Sequence, residues 1–339
     1  MSSNTRTDLA TRESVMAEVR AGISNRQVAS NHGIDEATVR RIRAASLPKP
    51  TTNVEYLDKK IGGFNWRDAI APIQEMQKLH REASWSQQTA TIRVGTGPGP
   101  IGILVWGDQH VGARGTEYDT FVQLTDLLLE TPNLYAMLTG DVAEWAVKLR
   151  GVAEVCAQLL DPSLQLQFIE SWFDEIKHKV IASTWGNHTD DRSEAGIGVC
   201  PLKNIIAKHV PYFSGIGHME LLVGEQSYKI ACSHKFSGVT ALDSTAGAKK
   251  YLRMEAPSFD AAIQGDCHRA GVSMYNEGPS HRIAITNGTH HLHSGFAARY
   301  FSIATSDCMP VLALWPDTKR MVGFFNVDQF TATIGGKSV

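Results

Sequence analysis

The chain has 339 residues, 42% hydrophobic and 20% charged, with a formal net charge of −2. That is ordinary globular composition, and no apolar stretch is long enough to cross a bilayer, so no membrane association is expected; the length allows one large domain and a small one. The near-neutral total hides an asymmetry, because residues 1–50 hold eight Lys/Arg against five acids, which hints at a polyanionic partner for the N-terminus.

In chain order, residues 1–11 read as a disordered tail and 12–46 as a small all-α domain. Within it Glu13–Arg20 is a first helix, and Ser24 caps Asn25–Asn31. His32-Gly33 makes the turn, and Asp35 caps Glu36–Ala44. Val28, Ala29, Ile34, Val39 and Ile42 fall on faces able to share one core. The string from Gly22 to Arg43 resembles the helix-turn-helix of resolvases, homeodomains and phage packaging or regulatory proteins. That resemblance implies that the second helix of the pair enters the major groove of DNA, with Thr38, Arg40, Arg41 and Arg43 as contacts. The alternative is a three-helix accessory that binds protein, its arginines forming a solvated face. Residues 47–64, with Pro48 and Pro50, read as a linker. Residues 65–88 read as a connector helix, with Trp66, Ile70, Ile73, Met76 and Leu79 at helical spacing. Ala90–Val94 reads as an edge strand opening a domain over 89–330, and 331–339 as a tail.

Within that domain five short apolar runs each end in side chains able to hold a metal. Ile101–Trp106 leads to Asp108 and His110, Leu134–Leu138 to Asp141, and Val180–Trp185 to Asn187 and His188. Tyr228–Cys232 leads to His234, and Phe259–Ile263 to Asp266 and His268. Such runs between helical stretches read as buried parallel strands, beyond whose carboxyl ends ligands bind. Oxygen and imidazole donors in that number suit a pair of divalent cations. Helical stripes separate the runs: Phe121, Leu124, Leu127 and Leu128; Phe168, Trp172 and Ile176; Leu202, Ile205 and Ile206. Strands Arg282–Thr286, Val311–Trp315 and Met321–Phe325 follow.

The order D-x-H, G-D, G-N-H, a lone His and a final G-x-x-H resembles the calcineurin-like metallophosphoesterases over Thr89 to Asp328. The departure is Asp266, standing where the family has the first His of G-H-x-H. The resemblance implies an α/β fold, a four-layer α/β/β/α sandwich. It implies Asp141 as the carboxylate shared by two cations about 3.5–4 Å apart. Asp108, His110 and His268 would complete the first position, and Asn187, His234 and Asp266 the second. The extra carboxylate favours Mn²⁺, or Mg²⁺, over softer metals. The cations would activate a hydroxide that attacks phosphorus in line. His188 would serve as general acid or as phosphate clamp, oriented by Asp190 or Asp191. Asn187, Arg114, His290 and His291 are candidates for substrate contact, and Trp145 for stacking on a base. Glu144 is a candidate to support a ligand.

The expected activity is metal-dependent phosphodiester hydrolysis, with DNA as the substrate. The helix-turn-helix resemblance and the Gly112 loop leading into Tyr118 and Phe121, which is similar to the repair-exonuclease branch, favour a phage-type nuclease. One alternative is a phosphatase or small-molecule phosphodiesterase with an N-terminal interaction module. Another is a DNA-binding regulatory or assembly protein with a degenerate phosphoesterase body. Cys156, Cys200, Cys232, Cys267 and Cys308 are scattered, and Met1–Leu9 lacks the apolar run of a secretory signal. Both features lead to the expectation of a cytoplasmic protein with reduced thiols, in the host cytoplasm if phage-encoded. The sequence leaves the oligomeric state open, a homodimer included.

Overall fold

The structure is a computed structural model that describes residues 9–46, 66–85, 88–95, 99–146, 158–240, 242–292 and 307–334. The linker assigned to 47–64, Cys156 and most of both terminal tails lie outside them. Contacts divide the chain into two units, Met1–Ala69 and Ile70–Val339.

In the first unit, α1 (Leu9–Arg20), α2 (Asn25–His32) and α3 (Glu36–Ser46) surround Val15, Val28, Ala29, Val39 and Ile42. The local chemistry sets the helix ends. The Ser24 side chain accepts from the Gln27 amide, and Gly33 turns left-handed at φ 64°, where a Cβ would be strained. Asp35 accepts from the Thr38 amide at 2.8 Å and the Thr38 hydroxyl at 2.7 Å. The first helix starts at Leu9, inside the stretch expected to be a tail. Arg40, Arg41 and Arg43 are exposed, and Arg40 lies 3.5 Å from Glu36 one turn earlier.

The helix α4 (Trp66–Trp85) lies within the segment 65–88 read as helical. Of its apolar stripe, Ile70, Ile73 and Met76 are exposed.

The second unit contains two six-stranded sheets. One has the order β12 (Met321–Phe324), β11 (Val311–Leu314), β2 (Ile101–Trp106), β3 (Leu134–Leu138), β4 (Val180–Thr184), β5 (Tyr212–Phe213). The other runs β1 (Thr89–Val94), β6 (Gly217–Val223), β7 (Gln226–Ser233), β8 (Ala261–Gln264), β10 (Ser280–Thr286), β9 (Gly271–Glu277). Strands β2 to β5 are parallel, as are β7, β8 and β10. Ile101, Ile103 and Val105 of β2 pack with Leu221, Ile230, Ile263 and Ile283, so the two sheets share an inner core. Leu104 and Trp106, on the opposite face, meet α5 (Tyr118–Glu130), α6 (Pro162–Ile176) and α8 (Pro201–Ile206) through Phe121, Trp172 and Ile206. The outer face of the second sheet is covered by α9 (Ala246–Met254) through Ala248, Tyr251 and Leu252. The result is four layers, α/β/β/α. Because β2 is buried on both faces, its sequence is uniformly apolar rather than alternating.

The five ligand-bearing runs do not share one sheet. Three belong to the first (β2, β3, β4) and two to the second (β7, β8). Two further short helices are α7 (Arg192–Ile197) and α10 (Val327–Ile334), the latter extending into the segment assigned as a tail. No described helix is long and apolar enough to cross a membrane.

Candidate metal centre

Each donor sits just past a strand end, where the backbone must turn sharply. Asp108, His110, Asp141, Asp266 and His268 all have φ between 49° and 69°, as does Trp145. These are the only non-glycine residues with positive φ among those described. Left-handed backbone at a non-glycine residue costs about 1–2 kcal/mol, so this strain is concentrated where the candidate ligands lie. At the G-N-H turn, a Cβ on Gly186 would lie 2.3 Å from both the Asp141 nitrogen and Oδ1. Only glycine permits that approach.

The donors converge in two overlapping groups. Asp108 Oδ1 lies 3.5 Å from His268 Nε2 and 3.9 Å from His110 Nε2, and the two imidazole nitrogens are 3.1 Å apart. His234 Nε2 lies 2.7 Å from Asn187 Oδ1, 3.2 Å from Asp141 Oδ2 and 3.9 Å from Asp266 Oδ1. Donor atoms of Asp108, Asp141 and His234 all fall within 4.8 Å of one another, so Asp108 is common to both groups and Asp141 lies beside it. All seven residues named as metal ligands are thus brought together.

The donor set fits divalent cations. Asp108 Oδ1 is buried without a hydrogen-bond partner, an expensive arrangement for a carboxylate unless a cation serves it. Its other oxygen is occupied: Asn287 Nδ2 donates to Oδ2 at 2.8 Å, and the Asp266 amide at 3.0 Å. His234 donates from Nδ1 to the Thr139 carbonyl at 2.7 Å, and His110 from Nδ1 to Glu144 Oε2 at 2.9 Å. Both rings therefore turn Nε2 inward, as metal-binding histidines do.

Electrostatics agree. Burial pulls the His234 pKa down, but Asp141, with Asp108 and Asp266 behind it, more than reverses this and pushes it up to about 10. Asp141 is held far below the usual carboxylate range, burial notwithstanding, by His234, His188 and His110. Without a cation, protons on imidazole offset the carboxylates. His110 is driven the other way, by burial and by His188, and so keeps a free lone pair.

His188 lies at the side of the centre. Its amide donates to Asp141 Oδ1 at 2.8 Å, and its Nδ1 is 3.2 Å from Glu144 Oε2. Arg192 Nη2 faces its Nε2 at 3.2 Å. A guanidinium only donates, so the Nε2 lone pair points at Arg192 and the ring proton sits on Nδ1 toward Glu144. Glu144 therefore orients His188, in place of the expected Asp190 or Asp191. Asp190 instead braces the turn, accepting from the Gly186 amide at 2.9 Å and from the Tyr212 hydroxyl at 2.7 Å. Glu144 also holds Arg192, whose Nη1 is 2.7 Å from its carbonyl oxygen.

The expected substrate contacts fare unevenly. His290 is buried, accepts from the Trp106 indole at 2.9 Å and lies 3.3 Å from the Thr120 hydroxyl. It does not face the centre; its backbone amide and the Thr289 hydroxyl instead hold the Asp108 carbonyl, at 3.1 and 2.8 Å. His291 is half-buried with its ring centroid 5.2 Å from that of His110. Burial, followed by His110, pushes both histidines down to about 4, so neither is a cation near neutral pH. Arg114 is exposed on the loop before α5. Trp145 is 2% exposed and packs in the helix-side core, which removes it as a stacking platform.

Asn287 and Arg192 were missed in the sequence. Neither belongs to the five motifs; the one cue for Asn287 is its place just after the buried strand β10.

No family model matches the chain, and no curated protein does. Among solved structures it is similar to Vps29 from Entamoeba histolytica complexed with Zn²⁺, at 12% identity and TM-score 0.32, covering 66% of this chain and 97% of that one. It is also similar to a predicted phosphoesterase from Streptococcus pneumoniae, at 13% identity and TM-score 0.29, with 66% and 97% covered. A third is a putative 5'-nucleotidase from Staphylococcus aureus in complex with alpha-ketoglutarate, at 13% identity and TM-score 0.38, with 67% and 53% covered. Likeness at these low scores assigns neither substrate nor activity.

Proposed function

We propose that the chain is a metal-dependent phosphodiester hydrolase acting on DNA. The observation that carries the hydrolase reading is the gathering of seven residues with oxygen or nitrogen donors, Asp141 among them, with the buried Asp108 Oδ1 lacking a hydrogen bond. Divalent cations held there would supply a nucleophile at neutral pH and offset charge developing on the phosphoryl group. The chain's own residues do the rest. Asp108, His110 and His268 would hold one cation, and Asn187, His234 and Asp266 the other, with Asp141 available to both. The His188–Arg192 pair lies beside Asp141 and suits a clamp for a phosphoryl oxygen better than a proton donor, since the His188 proton is directed at Glu144. DNA as the substrate rests on the exposed Arg40, Arg41 and Arg43 of the first unit and on its helix-turn-helix-like sequence.

The test is cleavage by the full-length protein with Mn²⁺, using a phosphodiester reporter and labelled single- and double-stranded DNA. Chelator and Asp141→Asn should abolish both activities. Replacing Arg40, Arg41 and Arg43 together with Ala should weaken DNA binding and flatten its salt dependence, while reporter cleavage is retained. Cleavage of monoesters alone, with no salt-dependent DNA affinity, would leave a phosphatase and remove the nuclease.

A further inference from the structure

Asp266 faces two ways. Its Oδ1 is turned toward His234 Nε2 at 3.9 Å, inside the second group of donors. Its Oδ2 lies 2.6 Å from Lys235 Nζ, the residue directly after His234, whose side chain is 55% exposed. Resting on the reading of a two-cation centre, we propose that Lys235 is a resident cation that shares Asp266 with the second metal position and weakens metal binding there.

The physical basis is charge. A carboxylate in place of a neutral imidazole adds a negative charge to a centre already holding Asp108 and Asp141, and the Lys235 ammonium returns a positive one. A divalent ion on Oδ1 would sit across a single carboxylate from that ammonium. Through a half-exposed boundary the repulsion is worth on the order of a tenfold change in affinity. The Asp266 backbone is held independently of Lys235: its amide donates to Asp108 Oδ2 at 3.0 Å, and its φ is 69°. Removing the ammonium therefore changes the charge without releasing the backbone that carries the carboxylate. The first position, built on Asp108, His110 and His268, has no comparable lysine pair among the described residues. The two positions should then differ in affinity, the second filling only as metal concentration rises.

The experiment is a Mn²⁺ titration of the full-length, chelator-stripped protein, counting free Mn²⁺ by electron paramagnetic resonance and without substrate. The wild type should show a tight and a weak class. Lys235→Met should tighten the weak class about tenfold and leave the tight class unchanged. Lys235→Arg should keep the wild-type isotherm, and in an Asp266→Asn background, where no carboxylate holds the ammonium at the site, the effect of Lys235→Met should shrink. Two indistinguishable wild-type classes would overturn the inference. So would a Lys235→Met variant whose weak class is unmoved or looser, or an effect undiminished without the Asp266 carboxylate. These results leave a two-cation centre standing, whereas a wild type that binds no Mn²⁺ removes the centre and the inference with it.

Discussion

Asn287→Ala tests whether the side chains behind the ligands set metal affinity. Asn287 is fully buried and donates from Nδ2 to Asp108 Oδ2 at 2.8 Å and to the Gly288 carbonyl. Its Oδ1 accepts from the Thr139 hydroxyl at 2.6 Å. Alanine removes a hydrogen bond to a charged group, worth about 1.5–3 kcal/mol, and strands the Thr139 hydroxyl in the interior. Of the two donors holding Asp108 Oδ2, only the Asp266 amide remains, so Oδ1 loses its fixed direction. Loss of such a supporting partner lowers metal affinity by about 10–100-fold. Urea unfolding in chelator would report the stability change, and Mn²⁺ binding the affinity change. A variant destabilised by about 2 kcal/mol that binds Mn²⁺ as tightly as wild type would refute the reasoning, since Asn287 would then support the fold alone.

Asp141→Asn should eliminate Mn²⁺-dependent phosphodiester cleavage and weaken both classes of bound Mn²⁺; loss of only one class would show that the carboxylate is not shared. Gly186→Ala drives a Cβ into the Asp141 backbone and should cost about 1–3 kcal/mol in urea unfolding, with roughly 100-fold slower hydrolysis; wild-type rates would mean that the turn yields freely. A pH series should show opposite trends for bare and loaded protein. His234 is raised to about 10, so its contribution to metal-free stability is complete below its ordinary value near 6.5 and fades as pH climbs toward 10. Metal must displace that proton, so apparent Mn²⁺ affinity should rise over the same interval. Flat affinity between pH 6.5 and 9 would contradict a protonated His234.

The sequence made the ligands legible because chemistry and position coincided. β2 and β3 match their apolar runs residue for residue, and a donor follows each run within about one turn of chain, Asp108 after Trp106 and Asp141 after Leu138. The allocation of runs to two sheets was hidden, since a strand buried on both faces looks the same in either. β6 alternates buried and half-buried residues and ends in a Gly224-Glu225 turn, a signal that was present but overlooked. β9 has no buried position, its residues being half-buried or exposed, and only its pairing with β10 makes it a strand. His290 and Trp145 misled for one reason. A place just past a strand end says nothing of which side a side chain takes, and both turn into the core. Asn287 and Arg192 act on Asp108 and His188 across large sequence separations or from the following turn, and no spacing rule reaches them.

The division of donors between the sheets has a mechanical consequence. Asp108, His110, Asp141 and Asn187 come from one sheet, and His234, Asp266 and His268 from the other. The aliphatic layer between them is non-directional and by itself tolerates small sliding. Ions gripped from both sides would rivet the seam, fixing the two halves of the sandwich in one alignment. Loading would then resist shear as well as unfolding, so that the same atoms serve as reaction centre and as fastener.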